Sequence, residues 1–112
     1  MIDSYTFGSM VIDGRRFTAD VKIVDGEVVP GWWRKEGHSI CQEDIADILV
    51  AKPEVLIIGT GAYGGLRVPE RFRKLLRSED IELIAAPTAE AVDAYNELAA
   101  TKKVAAGFHL TC

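Results

Sequence analysis

The sequence predicts an α/β domain in which helices pack on a mixed β-sheet and the first third adds an antiparallel β meander. Three observations point there. Apolar and polar residues alternate with period two from Arg16 to Ile23. Beyond Pro53, short continuous apolar runs alternate with segments patterned at helical spacing. The 112 residues suffice for one domain, 1–112, whose core needs no staples, and they show no repeat, linker or low-complexity tract.

The elements follow in order. Phe17, Ala19, Val21 and Ile23 share one face of the alternating strand, with Arg16, Thr18, Asp20 and Lys22 on the other. Asp13-Gly14 separates this strand from the run Tyr5 to Ile12, and Asp25-Gly26 separates it from Glu27-Val28-Val29. Asp-Gly between apolar runs marks a hairpin, because a tight turn needs positive φ, so three consecutive strands are expected, with a bulge near Gly8-Ser9. Trp32 to Ser39 has neither period and reads as a loop. Ser39 with Gln42 suggests a capping box, opening a helix that buries Cys41, Ile45, Ile48 and Leu49 and stops before Pro53. Val55 to Ile58 is a strand covered on both faces. Pro69 suits the first turn of a helix with Phe72, Leu75 and Leu76 inside. Ile81 to Ala85 is a second buried strand. Thr88 is expected to cap a helix that turns Val92, Tyr95, Leu98 and Ala99 inward. Val104 to Leu110 closes the sheet, and strands joined by helices pair in parallel.

Hydrophobic residues make up 48% and charged residues 27%, a balance that excludes a collagen repeat, a disulfide scaffold and a disordered tail. The formal charge of −4 argues against a nucleic-acid partner. Val55 to Ile58 is far too short for a membrane span, so no membrane partner is expected. Met1 to Tyr5 carries neither a secretory signal nor an Arg-rich leader, and Cys41 and Cys112 form no framework, which together suggest reduced thiols in the cytoplasm.

One motif stands out chemically. Gly59-Thr60-Gly61-Ala62-Tyr63-Gly64 matches G-x-G-x-x-G directly after a strand, where backbone N–H groups can approach an anion. It departs from a dinucleotide fingerprint, because Leu66-Arg67-Val68-Pro69 precedes the helix and the next strand ends Ala85-Ala86-Pro87 without an acid for a ribose. The carboxyl end of a parallel strand is nonetheless where open α/β sheets hold ligands. The candidate set for a small anion or metabolite is Gly59, Thr60, Gly61, Tyr63, Gly64, Arg67 and His38. Trp32, Trp33 and Arg34, large aromatics beside a cation in a polar loop, form a candidate partner-binding set. One of the two tryptophans could equally fill the core. His38-x-x-Cys41 and His109-x-x-Cys112 share a spacing, but Cys41 falls on an apolar helix face and reads as structural, so no metal and no cofactor are assigned. No acid/base carboxylate pair emerges, and no catalytic residues are assigned. Five basic residues between Arg67 and Arg77 face six acidic ones between Glu79 and Glu97. Two solvated helices explain that better than a docking field.

Several segments together resemble one family: Trp33-Arg34 with Gly37-His38-Ser39, Ile58-Gly59-Thr60-Gly61, Leu66-Arg67-Val68-Pro69, Thr88-Ala89-Glu90-Ala91-Val92 with Tyr95-Asn96, and Phe108-His109-Leu110-Thr111-Cys112. This is the small Mth-type domain family of unknown function that includes the animal adipogenesis-associated domain protein and, distantly, a mitochondrial complex I assembly factor. The resemblance spans nearly the whole chain and implies a three-layer fold. It implies a non-catalytic regulatory or assembly module acting through an unidentified protein partner. The alternative is a small-molecule or anion-binding domain, or an enzyme, built on the Gly-rich loop. Edge-to-edge pairing of the meander into a homodimer is a third expectation.

Overall fold

The computed structural model describes residues 1–112. A five-stranded sheet forms the middle layer: β4 (Val21–Val24), β5 (Glu27–Pro30), β6 (Val55–Thr60), β7 (Glu82–Ala86) and β8 (Val104–His109), in the order β5-β4-β8-β6-β7. The sheet is mixed: β8 runs parallel to β6 and β6 to β7, whereas β4 is antiparallel to both β5 and β8. β6 and β8, covered on both sides, are buried at every position. That is why they read as continuous apolar runs.

One face carries a short 3-10 turn (Gln42–Ile45) leading into α1 (Ala46–Ala51), together with α2 (Glu70–Ser78). Ile45, Ile48, Phe72 and Leu76 pack there on Leu56 and Ile58, with Trp32 over the same layer. The other face carries α3 (Thr88–Leu98) and a small antiparallel sheet of β1 (Ile2–Thr6), β2 (Ser9–Ile12) and β3 (Arg15–Phe17). Ile2, Met10, Ile12 and Phe17 from the small sheet meet Val92 and Tyr95 of α3 over Val55, Ile57 and Phe108. The predicted three-layer α/β fold is thus present, each face of the central sheet burying its own apolar cluster.

The N-terminal third differs in detail. The run Tyr5 to Ile12 is a hairpin, reversing at Phe7-Gly8 where Gly8 has φ of 76°, and the irregular register falls between Ile2 and Ser4. The predicted strand Arg16 to Ile23 breaks at Thr18-Ala19-Asp20. Its first part joins the small sheet and its second the central one, so Ala19 is exposed rather than buried. A period-two pattern survives such a break, because Phe17, Val21 and Ile23 still point into one core. Both Asp-Gly turns are as expected, with φ of 48° and 80° at Asp13-Gly14 and 51° and 79° at Asp25-Gly26.

Two helix starts also differ. Asp44 Oδ2 accepts the Cys41 N–H at 2.8 Å, so Cys41 rather than Ser39 occupies the cap. Pro87 stands at the cap of α3, and Thr88, fully buried, turns its hydroxyl elsewhere. Ala99, expected inside, is exposed past the end of α3.

Candidate functional site

The break between β3 and β4 brings Asp20 to the end of β8. Its Oδ1 accepts the Leu110 N–H at 2.8 Å, and its Oδ2 lies 2.8 Å from His109 Nδ1 and 2.8 Å from Arg34 Nη1. Its backbone carbonyl accepts the Trp32 N–H at 2.7 Å. One residue therefore joins three segments: the strand break, the end of β8 and the loop after β5. Burial pushes the Asp20 pKa up, but the hydrogen bonds from His109 and Leu110 and the Arg34 guanidinium beside it outweigh that, and the net shift is downward. The side chain stays a carboxylate.

Arg34 is held on two sides. Nε and Nη2 donate to the Gly37 carbonyl at 3.2 and 3.1 Å, and the guanidinium lies 4.9 Å from the Trp32 ring centre. The ion pair with Asp20 is close but off-axis, so Nη1 is left without a directed acceptor. His109 Nε2 likewise has no partner. The Arg34 and His109 side chains are only 6% and 9% exposed, which makes both orphan atoms costly. These residues line a hollow of about 390 Å³ with Thr18, Ala19, Gly31, Trp33 and Thr111.

The two tryptophans part company. Trp32 is 5% exposed, presses its ring against Gly107 and donates from Nε1 to the Asp44 carbonyl at 3.0 Å. It is a core side chain, so of the expected partner-binding set only Trp33 offers a side chain to solvent, at 86% exposure. Arg34 is the clamp beneath it. Lys35 N–H donates to Asp44 Oδ1 at 2.9 Å and fixes the far side of the loop.

The Gly-rich turn is arranged differently from an anion cradle. Gly61 N–H donates to Thr88 Oγ1 at 2.9 Å, and Thr88 Oγ1 donates to the His109 carbonyl at 2.6 Å. Ala62 and Gly65 N–H donate to the carbonyls of Thr111 and Cys112 at 2.6 and 2.8 Å, and Leu66 N–H to that of Thr60 at 2.9 Å. A Cβ on Gly59 would meet Phe108 and Thr88, and one on Gly65 would meet the Cys112 carbonyl oxygen. These glycines admit the chain's own residues. Thr60 is buried at the end of β6, in register with His109. Gly64, at φ of 72°, completes the turn and bonds back to Gly61. Tyr63 is 82% exposed and lies 6.4 Å from the Phe7 ring.

His38 and Arg67 meet through their backbones, with Arg67 N–H donating to the His38 carbonyl at 2.8 Å, while both side chains face outward. Burial and the neighbouring Asp44 raise the Cys41 thiol pKa. No three His, Cys, Asp or Glu side chains gather as a metal site. No helix is long and apolar enough to cross a membrane.

Sequence reasoning missed Asp20 and the use of His109. Asp20 reads as an outward residue of an alternating strand, and 89 positions separate the two. The one available signal was that the alternation predicts Ala19 inside while its neighbours Thr18 and Asp20 offer little to a buried strand.

A five-stranded mixed sheet between two helical or sheet layers, with a polar cluster at the end of its central strand, defines a small three-layer α/β domain. The chain belongs to the family described as protein of unknown function (DUF498/DUF598), which matches residues 2–109. It is similar to the conserved hypothetical protein PH1505 of Pyrococcus horikoshii OT3, at 33% identity and a TM-score of 0.87, covering 100% of this chain and 99% of that one. It is similar to MT938 at 32% identity and a TM-score of 0.82, covering 100% and 98%. An Mth938-like domain protein of Bordetella pertussis shares the fold at 22% identity and a TM-score of 0.66, covering 97% and 84%. The expected Mth-type membership is thus established.

Proposed function

We propose that this domain is a non-catalytic, cytoplasmic protein-binding module of the regulatory or assembly kind, with Trp33 as the partner's anchor. The carrying observation is the 86% exposure of Trp33 on a loop whose neighbours are fixed on both sides. An exposed indole on a loop backbone fixed by its neighbours gives a large contact area with few rotatable bonds to order, the property of an interface hot spot. The exposed Phe7 and Tyr63 rings, 6.4 Å apart, supply a second patch of aromatic surface. The resemblance to regulatory and assembly domains supports the same kind of role. Crosslinking and affinity capture from the source cell test it: specific partners are expected to fall at least about tenfold with Trp33→Ala. Retention of every specific partner overturns the reading.

The second reading, a small-molecule or anion-binding domain, is favoured by the hollow of about 390 Å³ with nine-tenths-buried Arg34 and His109 in its wall. The volume lies in the lower part of the range for small-ligand sites. Phosphate, nucleotide and carboxylate libraries are expected to yield a thermal shift from one class. A flat response across all three removes this reading.

A further inference from the structure

We infer that the hollow beneath Trp33 takes a carboxylate group, whose charge is matched by a proton taken up at His109 Nε2. This rests on the second reading above and names its ligand class.

The Asp20 carboxylate oxygen can only accept a hydrogen bond, so the ring nitrogen 2.8 Å away carries hydrogen: His109 is the Nδ1–H form. Arg34 Nη2, 3.2 Å from that nitrogen, therefore cannot donate to it and serves the Gly37 carbonyl. In the neutral ring Nε2 is then a bare lone pair without a donor and without exposed surface, on a residue that lines the hollow. On the neighbouring Arg34, Nη1 lies 2.8 Å from Asp20 Oδ2 but has no directed acceptor. The charged and titratable groups facing His109 are Asp20 from the strand break and Arg34 from the loop, with the Tyr5 hydroxyl of β1 on the adjacent Leu110 carbonyl at 2.9 Å. Asp20 and Arg34 cancel, so the site is neutral while His109 is neutral.

A carboxylate entering alone would bring an uncompensated charge into a sheltered site, which is costly. With one proton from solvent on Nε2, the imidazolium and Arg34 Nη1 each donate to one carboxylate oxygen, and the assembly is again neutral. Ala19, Gly31, Trp33 and Gly37 around the opening suit a short apolar stem behind the carboxylate. The two nitrogens expose almost no surface themselves, so entry requires a wall to yield. Trp33, 86% exposed, is one side chain of that wall. The carboxylate could be that of a free small acid or of an acidic side chain on a partner. A carboxamide would satisfy the same two atoms with no proton uptake, and that difference is measurable.

The test follows the amide shifts of Trp32, Gly37 and Leu110 and the ring nitrogens of His109 by NMR. Sodium propionate, a doubly blocked glutamate peptide and propionamide are titrated between about pH 5.5 and 7.5. Propionate or the blocked peptide is expected to bind, the tighter one identifying the source. Its Kd should weaken about tenfold for each unit of rising pH, with Nε2 moving to its protonated position on binding. His109→Asn keeps an N–H for Asp20 but lacks Nε2, and it should abolish both the binding and the pH slope. If that variant does not fold, the wild-type slope and the Nε2 shift decide. Binding of either carboxylate without a pH slope, or propionamide binding as well as propionate, overturns this inference and leaves the second reading standing. No perturbation around the hollow by any of the three probes overturns this inference, and the phosphate and nucleotide libraries then decide the second reading separately.

Discussion

Two turns lie at the same end of the central sheet, and they use their backbones in opposite ways. The turn after β6, glycine-rich and well supplied with donors, directs its N–H groups to Thr88, Thr111 and Cys112 of its own chain. The loop after β5 has an ordinary composition, yet with Asp20 and His109 it keeps two buried polar atoms without directed partners beside a hollow. A glycine motif signals that something approaches the backbone closely. What approaches here is the chain itself. The more informative feature for ligand chemistry is the polar group that folding has buried and left incomplete.

Asp20 separates the two turns most sharply. Asp20→Ala would leave Arg34 and His109 buried without their common acceptor, a loss of about 3–5 kcal/mol expected from urea unfolding. Asp20→Asn, which still accepts from Leu110, should lose less. The Gly-rich turn should stay native in both, visible as unchanged protection of Gly61 and Gly65 amides against hydrogen exchange. Loss of that protection would mean that the two turns form one unit. Acid gives the same contrast without mutation. The folded pKa of Asp20 lies below its ordinary value of 3.8, so its contribution is complete above that value and fades as pH falls through the lower, folded pKa. Wild-type stability should therefore drop in that acid window, and Asp20→Asn should flatten the drop.

Two glycine substitutions compare the packing of the regions. A Cβ at Gly107 would come within 2.7 Å of the Trp32 ring, which is 5% exposed and tied to Asp44. Gly107→Ala should cost about 1–3 kcal/mol and disturb the Arg34 clamp. A Cβ at Gly65 would collide with the Cys112 carbonyl oxygen, but Thr111 and Cys112 are exposed, and the backbone bonds from Ala62 and Gly65 are what yielding would break. Gly65→Ala should cost less, with faster hydrogen exchange at Ala62 and Gly65 as its signature. Equal costs would show that the Thr111-Cys112 segment is as firmly held as the core.

Local rules made much of the fold legible. The Asp-Gly turns, the fully buried β6 and β8 and the inner faces of α2 and α3 all follow from turn chemistry and periodicity. What stayed hidden depends on long-range placement. A single alternating strand and a strand that changes sheets present the same pattern, and only the tertiary path puts Asp20 beside His109. The Thr88 hydroxyl reads as a cap, yet it bridges Gly61 and His109 because the start of α3 is packed against both strand ends. Of the candidate site, the exposed aromatic loop was legible from composition. The choice of Trp33 over Trp32 was not, since it turns on Gly107, which makes room for one indole ring from the distant strand β8.

The smallest stability effect belongs to the most exposed side chain. Trp33 makes its contacts at the surface, and nothing in the core depends on its ring, so Trp33→Ala should shift stability by no more than about 0.5 kcal/mol. Trp32→Ala, by contrast, should cost about 3–5 kcal/mol, because it empties a core position and frees the Asp44 carbonyl. The adjacent pair thus serves as an internal control. If Trp33→Ala abolishes partner capture while its urea midpoint stays at the wild-type value, the loss belongs to the interface and not to folding. If Trp33→Ala destabilises as much as Trp32→Ala, the exposed ring is a structural element, and the anchor role falls with it.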